Sequence, residues 1–319
     1  MPVRWRGELS ENTPDARPNP SQNPDLIFHE RPKLRQPIML VAFEGWNDAA
    51  EGATSAIEFL QDTWDAPTFV EIDPEEFYDF TEVRPMVRQV DRQRRTIDWP
   101  ANEFSYHRDP DRDRDIILLR GVEPSLKWRR FTNAILEVMQ EFGVTTLITV
   151  GALLADVPHA KQARVSVTAT DPELRARLGK QTPRGSRYEG PTGITGILAE
   201  ACAKSGIKGA TLWGHAPHYL SASPNPMVTL GILRRLDALL ELGLDVQELV
   251  GESEAFVAQV NEAVSHDPEA TSYINSLETQ EDEEEEEDEG ESSRRSRDTG
   301  KGLIQDVEDF LRRRRGNDE

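Results

Sequence analysis

Acidic and histidine side chains follow several of the chain's predicted strands, in short loops where they could carry acid–base chemistry. The loops comprise residues 45–48, 155–159, 188–193 and 215–219. Open α/β sheets usually place their sites in the loops that leave the carboxyl ends of the strands. Six side chains could therefore line one pocket: Asp48, Asp156, His159, Glu189, His215 and His218. If they converge within hydrogen-bond reach, they could serve a hydrolase or phosphorylase-like enzyme that acts on a small molecule.

These loop residues could have structural roles instead of catalytic ones. Asn47 or Asp48 is well suited to cap the helix that follows, and capping alone accounts for both residues. A histidine that bonds to a backbone carbonyl is a commoner finding than a catalytic one. His215 and His218 lie on a proline-containing turn, where their spacing does not by itself aim two imidazoles at one point. No metal site is therefore predicted, and the catalytic set remains an alternative.

The sequence lacks the signatures of nucleotide binding and of covalent catalysis. The helix start at residues 190–193 has neither the longer glycine-rich cradle nor the lysine of a P-loop, and no dinucleotide fingerprint follows a strand. There is no Gly-x-Ser-x-Gly elbow, and the single cysteine, Cys202, lies within a predicted helix. We expect no cofactor and no covalent nucleophile.

Trp46 is the residue of these loops that capping does not explain. A large aromatic side chain in a tight loop is either buried under a neighbouring segment or displayed for a partner, and aromatic anchors are enriched at the centres of protein interfaces. The sequence leaves both alternatives open.

The elements that must position these loops alternate between strand and helix. Residues 38–43 form a continuous apolar run, typical of a strand buried on both faces, and a helical pattern follows. Strand and helix patterns return at residues 115–142, and further strands are predicted at residues 144–150 and 207–213. This alternation predicts a three-layer α/β fold with a mostly parallel sheet and helices on both faces.

Two stretches depart from this alternation. Residues 77–107 alternate apolar and charged side chains over short runs, which indicates an antiparallel hairpin insertion at the edge of the sheet. Residues 245–277 are helical without an intervening strand, which predicts a helical appendage that packs on the core or on a neighbouring subunit.

The predicted organisation has five parts. They are a disordered arm at 1–30, an α/β core at 31–244, the helical appendage at 245–277, an acidic disordered linker at 278–300 and an amphipathic tail helix at 301–315. The apolar stripe of the tail holds Leu303, Val307, Phe310 and Leu311, which with Trp46 are the candidate partner-binding residues. Because short isolated helices are marginal in water, a tail that folds only when docked is equally consistent with the pattern.

Composition limits the partners and the compartment. The nine consecutive acidic residues 281–289 account for nine of the net charge of −21, so the rest of the chain is acidic too. Nucleic acids and anionic membranes attract clustered Lys and Arg, so neither is an expected partner. The polar N-terminus does not match a signal peptide, no apolar run is long enough to span a bilayer, and the single cysteine fits a reducing cytosol. We expect a cytoplasmic protein.

Five segments, taken together, resemble the proteasome assembly chaperone 2 (PAC2) family in its actinobacterial branch. They are residues 43–49, 119–125, 151–159, 188–193 and 217–219, and their order and spacing match the family's. The resemblance covers residues 36–245, and the helical appendage also looks like that branch. It implies a three-layer fold similar to the phosphorylase/hydrolase-like α/β proteins and self-association as a trimer.

The resemblance also implies a protein-binding role, as an assembly chaperone or scaffold for the proteasome core particle. Several family members engage the proteasome through a C-terminal hydrophobic-Tyr-any tripeptide. This chain ends Asn317-Asp318-Glu319, so we do not expect it to dock by that device. The small-molecule enzyme with a pocket at the strand ends is the alternative.

Overall fold

The strand at residues 38–44 shows why the sheet must be covered on both faces. In the computed structural model, Ile38, Leu40 and Ala42 belong to one buried apolar cluster. The residues between them belong to a second cluster. Because successive side chains of a strand point to opposite faces, the continuous apolar run places one core on each side of the sheet.

The structure describes residues 23–91, 94–110, 112–178, 189–220 and 223–290. The strands are β1 (Leu26–Phe28), β2 (Ile38–Glu44), β3 (Thr68–Ile72), β4 (Met86–Gln89), β5 (Arg95–Asp98), β6 (Asn102–His107), β7 (Ile116–Val122), β8 (Thr146–Ala155), β9 (Val165–Ala169) and β10 (Lys208–Pro217). The helices are α1 (Gly52–Thr63), α2 (Trp128–Phe142), α3 (Pro172–Leu178), α4 (Ile194–Lys204), α5 (Pro226–Leu240), α6 (Gln247–Ser265) and α7 (Pro268–Gly290).

Eight strands form one mixed sheet in the order β1-β3-β6-β7-β2-β8-β10-β9. Its four central strands, β7, β2, β8 and β10, are parallel to one another. β1, β3 and β6 pair antiparallel on one side, and β9 pairs antiparallel with β10 on the other. The predicted fold class is confirmed: the centre of the sheet is parallel, and helices cover both faces.

The helices divide between the two faces of the sheet. α1 and α5 supply Ile57, Leu60 and Leu236 to one buried cluster. α2 and α4 supply Phe131 and Leu198 to the other. α2 ends at Gly143, whose φ of 69° is left-handed, so the glycine predicted to stop this helix does so.

The predicted antiparallel hairpin insertion is confirmed, and its extent differs from the prediction. β4 and β5 form a separate two-stranded sheet within residues 77–107. β6, from the same stretch, lies inside the main sheet between β3 and β7. Its Asn102 and Ser105 are fully buried. Because these residues are polar, the hydrophobic pattern of the sequence does not identify β6 as a strand of the core.

The ends of the core also differ from the predicted boundaries. β1 lies within the predicted arm at 1–30, where its Leu26 is buried and pairs with Ile72. A three-residue strand is too short to show periodicity. Residues 1–22 of the arm lie outside the described residues.

The chain divides into two compact units, up to Thr271 and from Ser272 onwards. The first unit holds the sheet, α1 to α6 and the beginning of α7; α7 continues in the second unit to Gly290. The predicted helical appendage thus corresponds to α6 and part of α7, and the helix extends into the stretch predicted as an acidic linker. The rest of that linker and the predicted tail helix at 301–315 lie outside the described residues. None of the described helices is both long and apolar enough to cross a membrane.

Candidate functional site

The loop between β2 and α1, residues 45–51, is the best-anchored loop at the carboxyl ends of the strands. It begins at Gly45, whose φ of 116° is disfavoured for any residue with a side chain. The carbonyl of Gly45 accepts a hydrogen bond from the amide of Asp48 at 3.1 Å, which closes the turn. Ala50 and Glu51 also adopt left-handed conformations, at φ 54° each. Non-glycine residues in this region carry strain that the surrounding structure must hold in place.

Asp48 anchors the loop to the start of α1. Its carboxylate accepts hydrogen bonds from the amides of Ala53, at 2.7 Å, and Thr54, at 3.2 Å, and from the Thr54 hydroxyl. Burial raises the pKa of Asp48 to about 6, although the Thr54 hydroxyl and the two amides oppose the shift. The capping role that the sequence favoured for Asn47 or Asp48 is confirmed for Asp48.

Asn47 anchors the loop to Glu123, the residue that follows β7. Its Nδ2 donates to Oε1 of Glu123 at 2.8 Å, and the same oxygen accepts from the amide of Ile194 at the start of α4, also at 2.8 Å. Gly193 lies so close that a Cβ there would stand 2.0 Å from Nδ2 of Asn47. Glu123 therefore joins two loops and a helix start through one carboxylate.

Two backbone hydrogen bonds complete the anchoring. The amide of Ala152 in β8 donates to the carbonyl of Asn47 at 2.8 Å. The amide of Asn225 donates to the carbonyl of Ala50 at 2.9 Å, and the Asn225 side chain caps α5. The loop is thus tied directly to β8 and α1, to α4 through Glu123, and to α5 through Asn225.

Trp46 is exposed in the middle of this fixed loop. Its relative exposure is 63%, while its neighbour Asn47 is 2% exposed. Of the two alternatives that the sequence left open, the structure shows the side chain displayed, not buried. Leu154, at the end of β8, is 59% exposed, and Trp46 and Leu154 line one cavity.

That cavity has a volume of about 1340 Å³ and opens at the carboxyl ends of β2 and β8 and beside β9 and β10. Its apolar lining includes Trp46, Leu153, Leu154, Trp213 and Leu220. Its polar lining includes Glu44, Asp48, Glu51, Thr192, Thr195, Ser166 and His218. It is larger than the 300 to 1,000 Å³ typical of small-molecule pockets.

Glu44, at the end of β2, has the most perturbed carboxylate in the cavity. Burial raises its pKa to about 7, against the opposing charge of Arg120. The negative charges of Asp48, Glu51 and Glu58 push it further in the same direction. The acidic end of the cavity therefore holds a carboxyl group that titrates near neutral pH.

The six side chains of the catalytic alternative are divided between the cavity and its surroundings. Asp48 and His218 line the cavity, and Nδ1 of His218 is 3.0 Å from Oδ1 of Asp156. Nδ1 of His218 also lies 3.3 Å from the carbonyl oxygen of Ala155. Glu189 is exposed, and Tyr188 of the same motif lies outside the described residues.

His159 is held inside the protein. It is 1% exposed, and its amide donates to the hydroxyl of Tyr219 at 2.9 Å. Its ring nitrogens lie 2.8 Å from that hydroxyl and 3.0 Å from Oδ1 of Asn261 in α6. These bonds connect the loop after β8 to the loop after β10 and to α6. The contacts of His159 therefore favour a structural role.

Neither His215 nor Cys202 is among the described residues that line the cavity. Nε2 of His215 lies 3.1 Å from the hydroxyl of Ser166, which does line it. Burial, with the nearby charge of Arg164, lowers the pKa of His215 to about 4. Cys202 is buried in α4, and burial raises the pKa of its thiol to about 12. Within the described residues there is no group of three or more His, Cys, Asp or Glu placed to hold a metal ion.

The structure adds residues that the sequence reasoning missed. Glu44, Glu123 and Asn225 anchor or shape the loop, and Tyr219 holds His159. Glu44 is the first charged residue after the apolar run of β2, a signal that could have marked it. The roles of Glu123 and Asn225 depend on contacts across the fold. Of the candidate partner-binding residues, Leu303, Val307, Phe310 and Leu311 lie outside the described residues.

Known proteins resemble the chain over most of its length. A model of the PAC2 family matches residues 42–264. A PAC2 family protein from Streptomyces avermitilis is 39% identical, with a TM-score of 0.68, over 75% of this chain and 99% of its own. A proteasome-assembly chaperone homologue from Mycobacterium tuberculosis is 40% identical, with a TM-score of 0.67, over 74% of this chain and 99% of its own.

A protein of unknown function from Corynebacterium glutamicum is 26% identical, with a TM-score of 0.75, over 82% of this chain and 98% of its own. Comparison with curated proteins found no match.

Proposed function

The chain belongs to the PAC2 family, and from that premise we propose that it binds other proteins, as an assembly chaperone or scaffold for the proteasome core particle. The relative from Mycobacterium tuberculosis, 40% identical, is named a proteasome-assembly chaperone homologue. Its chain is covered over 99% of its length, so the two proteins share the whole of that fold.

The observation that carries the proposal is the exposure of Trp46 on a fixed loop. Interface anchors are commonly aromatic, and a side chain held in its bound position before binding loses little conformational freedom on association. Asp48, Asn47 and Ala50 hold the loop by hydrogen bonds on three sides. Trp46 at 63% exposure and Leu154 at 59% then offer an apolar rim beside a large cavity.

The finer features of the proposal follow from the family. We place the protein in the cytoplasm, where it would meet proteasome subunits, and we propose that it self-associates as a trimer. The tail stripe of Leu303, Val307, Phe310 and Leu311 is a second proposed contact for partners.

The alternative was a hydrolase or phosphorylase-like enzyme. None of the three relatives above is named for such an activity. Asp48 caps a helix, His159 bonds to Tyr219 and Asn261, and His215 bonds to Ser166. These contacts favour structural roles, and protein binding is the function that the site supports best.

Direct binding to purified proteasome subunits tests the proposal. The host's α-type and β-type core subunits, each purified alone, are immobilised, and the affinity of the full chain is measured. We expect Trp46→Ala to weaken binding at least tenfold, a typical loss for an aromatic anchor. Ile27→Ala is the matched control, because Ile27 is an exposed apolar residue on the edge strand β1. Equal affinity of the wild type and Trp46→Ala, or no binding by the wild type, contradicts the proposal.

A further inference from the structure

The face of the β4–β5 hairpin that carries Val87 and Ile97, here its outer face, is exposed. Val87 lies opposite Ile97 in the register of the hairpin, and the two side chains are 62% and 52% exposed. The next pair on this face, Gln89 and Arg95, is exposed as well. A two-stranded hairpin is marginally stable alone, so an exposed apolar pair on its outer face indicates a surface that binds something.

The hairpin is held together by its own contacts and meets the rest of its segment at its base. Arg88 of β4 forms an ion pair with Asp98 of β5, which is 5% exposed, so this pair joins the two strands to each other. At the base, the Trp99 ring packs edge-on against the Phe80 ring with centroids 4.9 Å apart. Val87 and Ile97 point to the opposite face from Arg88 and Asp98, since alternate residues of a strand point to opposite faces.

The hairpin is also basic within an acidic protein. Residues 84–98 contain five arginines and two aspartates, whereas the whole chain carries a net charge of −21. Arg84 and Arg95 are exposed. The surface that this hairpin fits should therefore be acidic and should also offer apolar side chains.

The strand-end cavity has both properties. Glu44, Asp48 and Glu51 line it, and neither lysine nor arginine is found among the lining residues that the structure describes. Trp46 and Leu154 are exposed on the same lining. At about 1340 Å³, the cavity exceeds the usual size of a small-molecule pocket and can admit a segment of protein.

We propose that the β4–β5 hairpin of one copy docks into the strand-end cavity of a second copy. Val87 and Ile97 pack on Trp46 and Leu154 of the receiving copy. Arg95 pairs with the acidic end of that cavity through Glu51, and its guanidinium can also lie on the face of Trp46. The two surfaces differ, so the contact is head-to-tail, and such contacts close into rings when the rotation allows. A trimer is one such ring.

The docking also bears on the proposed function, because hairpin and proteasome subunit would share the Trp46 rim. A subunit that binds there displaces the hairpin and opens the ring. The self-association itself depends only on this chain, so it is measured without any proteasome subunit. A failure of the docking is therefore distinguishable from a failure of the chaperone proposal.

Charge reversal tests the docking. The oligomeric state of the full chain is followed by sedimentation over protein concentrations from about 0.1 to 100 µM. We expect Arg95→Glu and Glu51→Arg each to raise the dissociation constant at least ~10-fold, because each places like charges in contact. The double variant restores the opposite charges and should return within ~3-fold of the wild type, as a double-mutant cycle requires for a direct contact. Arg129→Glu, on an exposed position of α2, is the control with the same change in net charge as Arg95→Glu.

Folding is checked separately. Thermal unfolding of each variant should match that of the wild-type monomer, and Ile97→Ser should dissociate the oligomer without any change of charge. A monomeric wild type at the highest concentration overturns the proposal. So does a double variant that stays dissociated, or single variants that behave like Arg129→Glu. If removal of residues 291–319 abolishes an association that both single variants retain, the tail occupies the cavity and the hairpin does not.

Discussion

The loop at residues 45–51 and the β4–β5 hairpin both display apolar side chains, and the protein holds them in opposite ways. In the loop, Asn47 and Asp48, which follow Trp46, are buried, and they hydrogen-bond to β8, to Glu123 and to the start of α1. In the hairpin, Val87 and Ile97 lie on a separate two-stranded sheet, and Trp99 packs against Phe80 at its base. The first surface is built rigidly into the fold, and the second is an appended one.

This difference indicates how the two surfaces can bind their partners. A rigid loop presents one geometry, which suits specific recognition with little ordering cost. A small appended hairpin has few buried contacts, so it can adjust its position when it docks. Changes to the anchors of the loop should therefore cost stability, while changes to the outer face of the hairpin should cost association alone.

The largest effect is expected from Asp48→Ala. The substitution removes the cap of α1 and leaves the buried Thr54 hydroxyl and two amides without their acceptor. We expect the free energy of unfolding to fall by about 3 kcal/mol, measured by chemical denaturation. Asp73→Ala, which removes the cap of a short 3-10 turn, should cost about 1 kcal/mol or less. Equal losses in the two variants would contradict the anchoring of the loop.

Gly193→Ala should disturb the other anchor. Its new Cβ would overlap the amide of Asn47 and push it off Glu123. We expect a loss of about 2 kcal/mol in the free energy of unfolding. Gly251→Ala is the control, because a Cβ there meets nothing within 4 Å on α6. That control should be neutral or slightly stabilising, and a loss at Gly251 as large as at Gly193 would remove the evidence for tight packing around Asn47.

Glu44→Gln should stabilise the protein at high pH. The folded-state pKa of Glu44, about 7, is raised above its usual value, so its contribution to stability is fully present at acid pH and is lost as pH rises through 7. The neutral amide removes that loss. We expect the variant's gain in free energy of unfolding to be about 2 kcal/mol larger at pH 8 than at pH 4.5.

Glu58→Gln is the control, because Glu58 lies beside the same Arg120. This variant removes a partner of Arg120 and leaves the buried carboxyl group of Glu44 in place. A pH-dependent gain that Glu44→Gln shows and Glu58→Gln does not is assigned to Glu44. A Glu44→Gln gain that is the same at both pH values would show that the carboxyl group is not buried in the folded protein.

The smallest effect on stability is expected on the hairpin. Val87→Thr removes apolar surface that is already 62% exposed, so the free energy of unfolding of the monomer should change by less than about 0.5 kcal/mol. Chemical denaturation at low protein concentration measures this. A loss above about 1.5 kcal/mol would show that Val87 is part of the fold, and the contrast between hairpin and loop would fail.

The amino-acid sequence predicts the parallel centre of the sheet because β2, β7 and β8 contain apolar runs and β10 a shorter apolar stretch, and helices or turns follow them. The sequence pattern does not predict β1 and β6, and each omission has a physical reason. β1 has three residues, and β6 carries Asn102 and Ser105 into the core, where Asn102 bonds to the Tyr78 hydroxyl. Tertiary contacts, not local pattern, place such strands.

For the candidate site, the sequence identifies the loops and the capping role of Asp48, because capping is a local effect. The contribution of Glu123 depends on a contact with Asn47, 76 positions away. His159 and Tyr219 are both within predicted motifs, yet their partnership spans 60 positions. The sequence also could not decide the exposure of Trp46, because burial depends on which segments pack over the loop.

The most direct test of the central claim, that this chain assists proteasome assembly through the Trp46 loop, is the rate at which core particles form from separately purified α-type and β-type subunits. The account predicts that the wild-type chain raises this rate and that Trp46→Ala does not, at equal concentration and equal folded fraction. An unchanged rate with the wild type, or the same acceleration by Trp46→Ala, would contradict it.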